Sequence, residues 1–134
     1  MEHLHSLLRQ QPHQISALET VERCIAACVE CAAVCTSCAD ACLSEKEVAH
    51  LVACIRLNLD CADICTAAGR MVGRLTKPNR EAMRRTLEAC AATCRECSAE
   101  CAQHAEKHGH CRACADTCRA CAAACDALLA GMPH

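Results

Sequence analysis

The 134-residue chain contains no Phe, Tyr or Trp. Without aromatic rings there are no stacking platforms for single-stranded nucleic acid. It also lacks a strong charge of either sign. A net charge of −2 gives no polycationic footprint for DNA or an anionic lipid surface. No uninterrupted run of about 18 apolar residues occurs, so no membrane span is expected. The first residues, MEHLHSLLRQQPHQISALETVERC, show no basic segment followed by an apolar stretch and no small-residue cleavage site. A cytosolic, thiol-reducing location is therefore expected. Hydrocarbon is scarce too. Apolar residues make up 53 %, but 27 of them are Ala and 18 are Cys, leaving 26 Leu, Ile, Val and Met. The length suits one domain, whose core needs something besides hydrocarbon.

What the sequence has instead is cysteine, in four runs. The first is Cys24, Cys28, Cys31, Cys35, Cys38 and Cys42. The second is Cys54, Cys61 and Cys65, the third Cys90, Cys94, Cys97 and Cys101. The fourth is Cys111, Cys114, Cys118, Cys121 and Cys125. Fourteen of the 17 steps between successive cysteines are 3, 4 or 7 residues. Alternating 3 and 4 is the heptad period, which puts each run on one stripe of one helix. The residues between are mostly Ala, Glu and Arg, good helix formers.

Punctuation divides the chain into four long helices. Ser16 with Glu19 predicts a capping box and a helix to Leu43; Ser44 with Glu47 predicts a second, to Leu75. Thr76, or alternatively Asn79, caps a third that runs to Lys107. Gly109 breaks the chain before a fourth helix over His110 to Leu129. Residues 1–11 suggest a short extra helix with Leu4, Leu7 and Leu8 on one side. The expected fold is all-α: an antiparallel up-down-up-down four-helix bundle with a Cys-lined core over residues 16–134, preceded by an N-terminal extension, 1–15.

Cysteine is a small, readily buried hydrophobe, and one or two would need no further explanation. Eighteen, nearly all at inward positions, do, because Leu or Val would bury more area. Disulfides within a helix are disfavoured, since neighbours at i+3 and i+4 have Cβ atoms about 5–6 Å apart against about 3.5–4.5 Å for a bond. Thiolate metal binding remains, and charge selects the metal. Four zinc ions held by sixteen thiolates would leave about eight negative charges in a low-dielectric core. Cu(I) at roughly one ion per Cys leaves none, and thiolate selects it. An iron–sulfur carrier is the rival, but ferredoxin ligands lie on loops ending in Cys-Pro, and no Cys here precedes Pro. A thiol redox or sensor module is the other alternative; it requires exposed, low-pKa thiols. No nucleophile–base constellation is visible, so no enzyme is expected.

The CxxxCxxCxxxC pattern on four predicted helices, from about Val21 to Leu129, resembles the copper storage proteins, the Csp family of bacterial four-helix-bundle copper binders. The resemblance implies many Cu(I) ions per bundle, inward cysteines as ligands, a homotetramer and, without an export signal, the cytosolic branch. The sequence departs from that pattern in its second helix, where Asn58 occupies a stripe position between Cys54 and Cys61. It is read as a core hydrogen-bonding group, or as an oxygen ligand.

Antiparallel order separates two ends. One collects Cys42, His50, Cys54, Cys101, His104, His108, His110 and Cys111. His104 and His108 continue the third stripe in phase and are expected as ligands at a port that passes copper to thiolates. His50 and His110 are lesser candidates. The other end collects Val21, Met71, Met83, Leu87 and Met132, read as an apolar plug with occasional thioether contact to copper. His3, His5, His13 and His134 are read as bland terminal groups, and Asp60 and Asp63 as a solvated face.

Overall fold

The computed structural model describes residues 1–132. His134 lies outside the described residues. Among the described residues there are five α-helices: α1 (Glu2–Arg9), α2 (Leu18–Leu43), α3 (Val52–Val72), α4 (Arg80–Ala102) and α5 (Gly109–Ala130). A 3-10 turn, Val48–Leu51, precedes α3. Helices α2 and α4 each pack on both α3 and α5, which closes a four-helix ring. The 26 residues of α2 make it about 39 Å long.

The helix ends depart from the sequence reading in instructive ways. Ser16 does not cap α2: Ala17 takes the N-cap position with φ 53°, in the left-handed region, and no side chain caps the helix. That conformation turns the incoming chain across the end of the bundle, at a cost of about 1–2 kcal/mol for a non-glycine residue. Ser44 and Glu47 do not start α3 either; the chain makes a turn and the 3-10 segment first, and α3 begins at Val52. Of the two candidate caps for α4, Asn79 is used: its side chain accepts from the Ala82 amide at 3.0 Å. Helix α4 ends at Ala102 rather than Lys107, and a series of turns carries the chain to α5. His104 therefore sits beyond the helical stripe, and His108 becomes the N-cap residue of α5.

Packing follows the stripes. All eighteen cysteines are buried, seventeen of them without measurable exposure and Cys38 at 2 %. Alanine lets the helices close around them: Ala62, Ala68, Ala91, Ala115 and Ala122 are buried between helices. Gly69 serves the same end, because a Cβ there would stand 3.2 Å from the Cys28 Cβ. Buried Ser98 donates to the Ala115 carbonyl at 2.8 Å and ties α4 to α5. Helix α1 lies on α2 through buried Leu8, while Leu7 faces solvent. His5 of α1 meets Glu22 of α2 at 2.6 Å.

Helix α2 is long and apolar enough on average to cross a membrane. Its hydropathy comes from Ala and Cys, and its six cysteines face the other helices. Asp60 and Asp63 are exposed, as the helical phase predicts.

Candidate metal centre

The four stripes meet on the bundle axis and form one continuous column of sulfur. At least five tetrads of cysteine have all four Sγ atoms within 4.8 Å of one another. From the far end these are Cys28, Cys90, Cys121 and Cys125; then Cys31, Cys65, Cys94 and Cys121; then Cys31, Cys35, Cys61 and Cys118; then Cys35, Cys97, Cys114 and Cys118. Nearest the histidines are Cys38, Cys42, Cys54 and Cys111. These tetrads use every cysteine except Cys24, which stands 4.0 Å from Cys125, and Cys101, which stands 3.3 Å from Cys54.

Sharing is the chemically important feature. Cys121, Cys31, Cys35 and Cys118 each belong to two tetrads. Separate tetrahedral zinc sites would need four private thiolates each. Shared sulfurs instead suit bridging thiolates between soft monovalent ions. All eighteen cysteines are free thiols, and neighbouring sulfurs lie 3.3 to 4.0 Å apart. That is well beyond the S–S bond length of about 2.05 Å.

Protonation in the column is collective. Burial pushes the Cys42 thiol up to about 11, and raises Cys111 as well. Deeper in, hydrogen bonding from Cys101 and then Cys118 lowers the Cys114 thiol from its usual range. Those donors are themselves pushed up by their neighbours, Cys114 first in each case. A thiolate exists here only where adjacent S–H groups donate to it. The rest of the protons leave when a cation takes their place.

Asn58 stands where the fourth tetrad gives way to the one at the histidine end. It is fully buried. Its Oδ1 accepts from Cys114 at 3.0 Å, Cys97 at 3.1 Å and Cys101 at 3.4 Å. Its Nδ2 donates toward Cys54 Sγ at 3.8 Å. One amide thus engages sulfurs from three helices, a role that its stripe position alone did not specify.

The histidine end holds a polar cluster that stripe arithmetic identified only in part. His110 Nδ1 lies 3.4 Å from Cys38 Sγ and 3.6 Å from Cys111 Sγ. His110 Nε2 and His108 Nδ1 both lie 2.8 Å from Glu45 Oε2. The two rings stack with centroids 5.4 Å apart. Hydrogen bonding from His110, ahead of the other contributions, lowers the Glu45 carboxyl from its usual range. Burial works to lower the His110 pKa, but Cys38 and Glu45 outweigh it and the net direction is up. His104 Nε2 meets Glu100 Oε2 at 2.8 Å. His50 is exposed and outside this cluster. Of the two favoured histidines, then, each contacts a carboxylate, and His110 is the imidazole against sulfur. Glu45 lies in the α2–α3 connection, where no helical period applies; only the pairing of loops at one end of the bundle could have pointed to it.

Comparison with known proteins places this arrangement among relatives. A family described as copper storage protein matches residues 17–130. The chain is 38 % identical over 92 residues to the uncharacterized cysteine-rich protein YhjQ of Bacillus subtilis, covering 69 % of this chain and 80 % of that protein. Among solved structures, the copper storage protein Ccsp from Streptomyces lividans, loaded with 10 copper equivalents, superposes with a TM-score of 0.93. It is 48 % identical, with 96 % of this chain and 99 % of that chain covered. The Cu(I)-bound copper storage protein BsCsp3 superposes with a TM-score of 0.73 at 38 % identity, covering 82 % and 98 % respectively.

Proposed function

The chain belongs to the copper storage protein family, and from that premise we propose which of its groups hold the cargo and how it reaches them. The cargo is Cu(I), many ions per chain, bound by the thiolates of Cys24, Cys28, Cys31, Cys35, Cys38, Cys42, Cys54, Cys61, Cys65, Cys90, Cys94, Cys97, Cys101, Cys111, Cys114, Cys118, Cys121 and Cys125. The observation that carries this reading is the sharing of cysteines between successive tetrads. It favours a ladder of bridged ions, at roughly one ion per Cys, over isolated sites. Near-equal numbers of monovalent ions and thiolates also leave the column close to neutral, which the buried setting demands.

His104, His108 and His110 form the port. Imidazole holds Cu(I) and passes it on to thiolate, a softer and anionic ligand. The contact of His110 with Cys38 and Cys111 supports this assignment. Glu45 and Glu100 orient the rings, as carboxylates commonly do for metal-binding imidazoles. The role is storage and buffering without a catalytic step. Residues 16–134 form the storage domain, with residues 1–15 as an extension.

A relative from Streptomyces lividans is described as a cytosolic copper storage protein, which supports a bacterial cytosolic setting for this one. A homotetramer is the proposed assembly. Exposed Val29, Val52 and Leu59 supply apolar surface outside the core for contacts between copies, and sedimentation velocity measures the result. The test of storage is an anaerobic Cu(I) titration against a competing chelator. Uptake approaching the cysteine count is expected; uptake of a few ions per chain refutes the ladder.

A further inference from the structure

The end of the bundle opposite the histidine port is a cavity rather than a solid plug. Its volume is about 290 Å³, and His13, Met83, Met132, Leu128, Val21 and Arg80 are among the residues that line it. The left-handed turn at Ala17 brings the segment carrying His13 over this end. Both ring nitrogens of His13 are shielded from solvent and have no hydrogen-bond partner among the described residues. Such groups are rare in folded proteins, and each one implies an unaccounted partner. A neutral imidazole has one N–H and one bare nitrogen. That bare nitrogen is a free ligand atom on a residue that lines the same cavity as Met83 and Met132.

We propose that His13, Met83 and Met132 form a second Cu(I) site, separate from the thiolate column. The donor set selects the ion. Two thioethers and an imidazole are soft or borderline ligands suited to Cu(I). Among the described residues no Asp or Glu lines the cavity, which disfavours hard divalent cations that need anionic oxygen. A monovalent ion is the charge state that neutral ligands accommodate at least cost, the more so with Arg80, an exposed residue, on the cavity's border. Exposed Gln14, Ser16 and Gly131 also border the cavity, so an ion can come and go from this end. Thiolates outcompete thioethers for copper, so this site fills last and empties first. It is a labile position at the end remote from the port, and it uses no cysteine.

The test uses the full chain with carbon-13 in the methionine ε-methyl groups. Cu(I) is added anaerobically until the thiolate-to-copper absorbance reaches its plateau, and then one further equivalent follows. The Met83 and Met132 methyl resonances should shift together at this step, with Met1 unmoved. In His13→Ala the same shift should need about tenfold more Cu(I), equivalent to about 1.4 kcal/mol, while the absorbance plateau stays where it was. Met132→Leu is the second variant, and it should weaken the response of Met83 similarly. Methyl resonances that stay still, as they would for a cavity holding only water, overturn the site. So does a shift that is the same with and without His13. Failure of the thiolate absorbance to develop would instead overturn the storage ladder, which is a separate result in the same titration.

Discussion

Asn58 Oδ1 accepts a hydrogen bond from Cys114 Sγ at 3.0 Å, inside the column and out of reach of solvent. The same oxygen takes Cys97 and Cys101, so one amide carbonyl gathers three S–H donors at the joint between two groups of tetrads. Asn58→Ala leaves those donors without an acceptor and opens a void. The copper-free protein should lose about 1–3 kcal/mol of stability, measured by urea unfolding under reducing conditions. Asn58→Cys restores the stripe between Cys54 and Cys61 and should raise capacity by about one Cu(I) per chain. Unchanged capacity would mean that the joint is not limited by its missing sulfur.

The copper-free chain should already be a helical bundle. Protonated cysteine is a neutral group that tolerates burial, and the S–H groups find partners among one another, as Cys35 and Cys118 do at 3.5 Å. Circular dichroism of the reduced, metal-free protein should show helix throughout; a coil spectrum would contradict this. Copper then adds stability by mass action, about 2.7 kcal/mol for each site at a free ion concentration a hundred times its Kd. The melting temperature should climb with each increment of loading.

The thiols at the histidine end set the pH response. The folded pKa of Cys42 rises from 9.0 to about 11 because burial opposes the charged form. A raised folded pKa contributes stability that is intact below pH 9 and is lost as pH rises toward 11, because the unfolded chain ionises first. Metal-free protein should therefore weaken between pH 9 and 11 in denaturant titrations. Copper binding runs the other way. At pH 7 Cys42 is neutral, so each thiol like it must release a proton on loading. An unbuffered indicator-dye assay should record proton release during Cu(I) uptake, and apparent affinity should fall as pH is lowered.

Much of this site is visible in the sequence, because the 3,4 spacing of cysteine is a helical coordinate system. It put nearly all of the eighteen sulfurs on inward faces, and all eighteen are buried. The order of the helices also placed the His-rich and Met-rich ends correctly. What spacing does not encode is the conformation of the connections. Ser44 with Glu47 carries a capping signal, yet the chain there makes a 3-10 turn, since Leu51 is drawn into the core. Projecting the third stripe through His104 and His108 assumed a helix running to Lys107, whereas α4 ends at Ala102. The same limit hid Glu45, which lies on no stripe, and His13, whose burial depends on the left-handed turn at Ala17.

The port can be separated from the store by kinetics. His104, His108 and His110 sit at the mouth, whereas capacity resides in the sulfurs below. In stopped-flow loading, His104→Ala combined with His108→Ala should slow Cu(I) uptake several-fold, with little change in the final number of ions. His110→Ala should act more strongly on the first ions bound, because its Nδ1 lies 3.4 Å from Cys38 and is the imidazole nitrogen nearest the column. Glu45→Gln removes the carboxylate charge beside both rings and should lower the pH at which loading is fast, since neutral imidazole is the ligand form and Glu45 favours protonated His110. His50→Ala, exposed and outside the cluster, should load like the parent protein. A large loss of capacity in the histidine variants would show that these rings hold stored copper, and equal rates in all of them would remove the port.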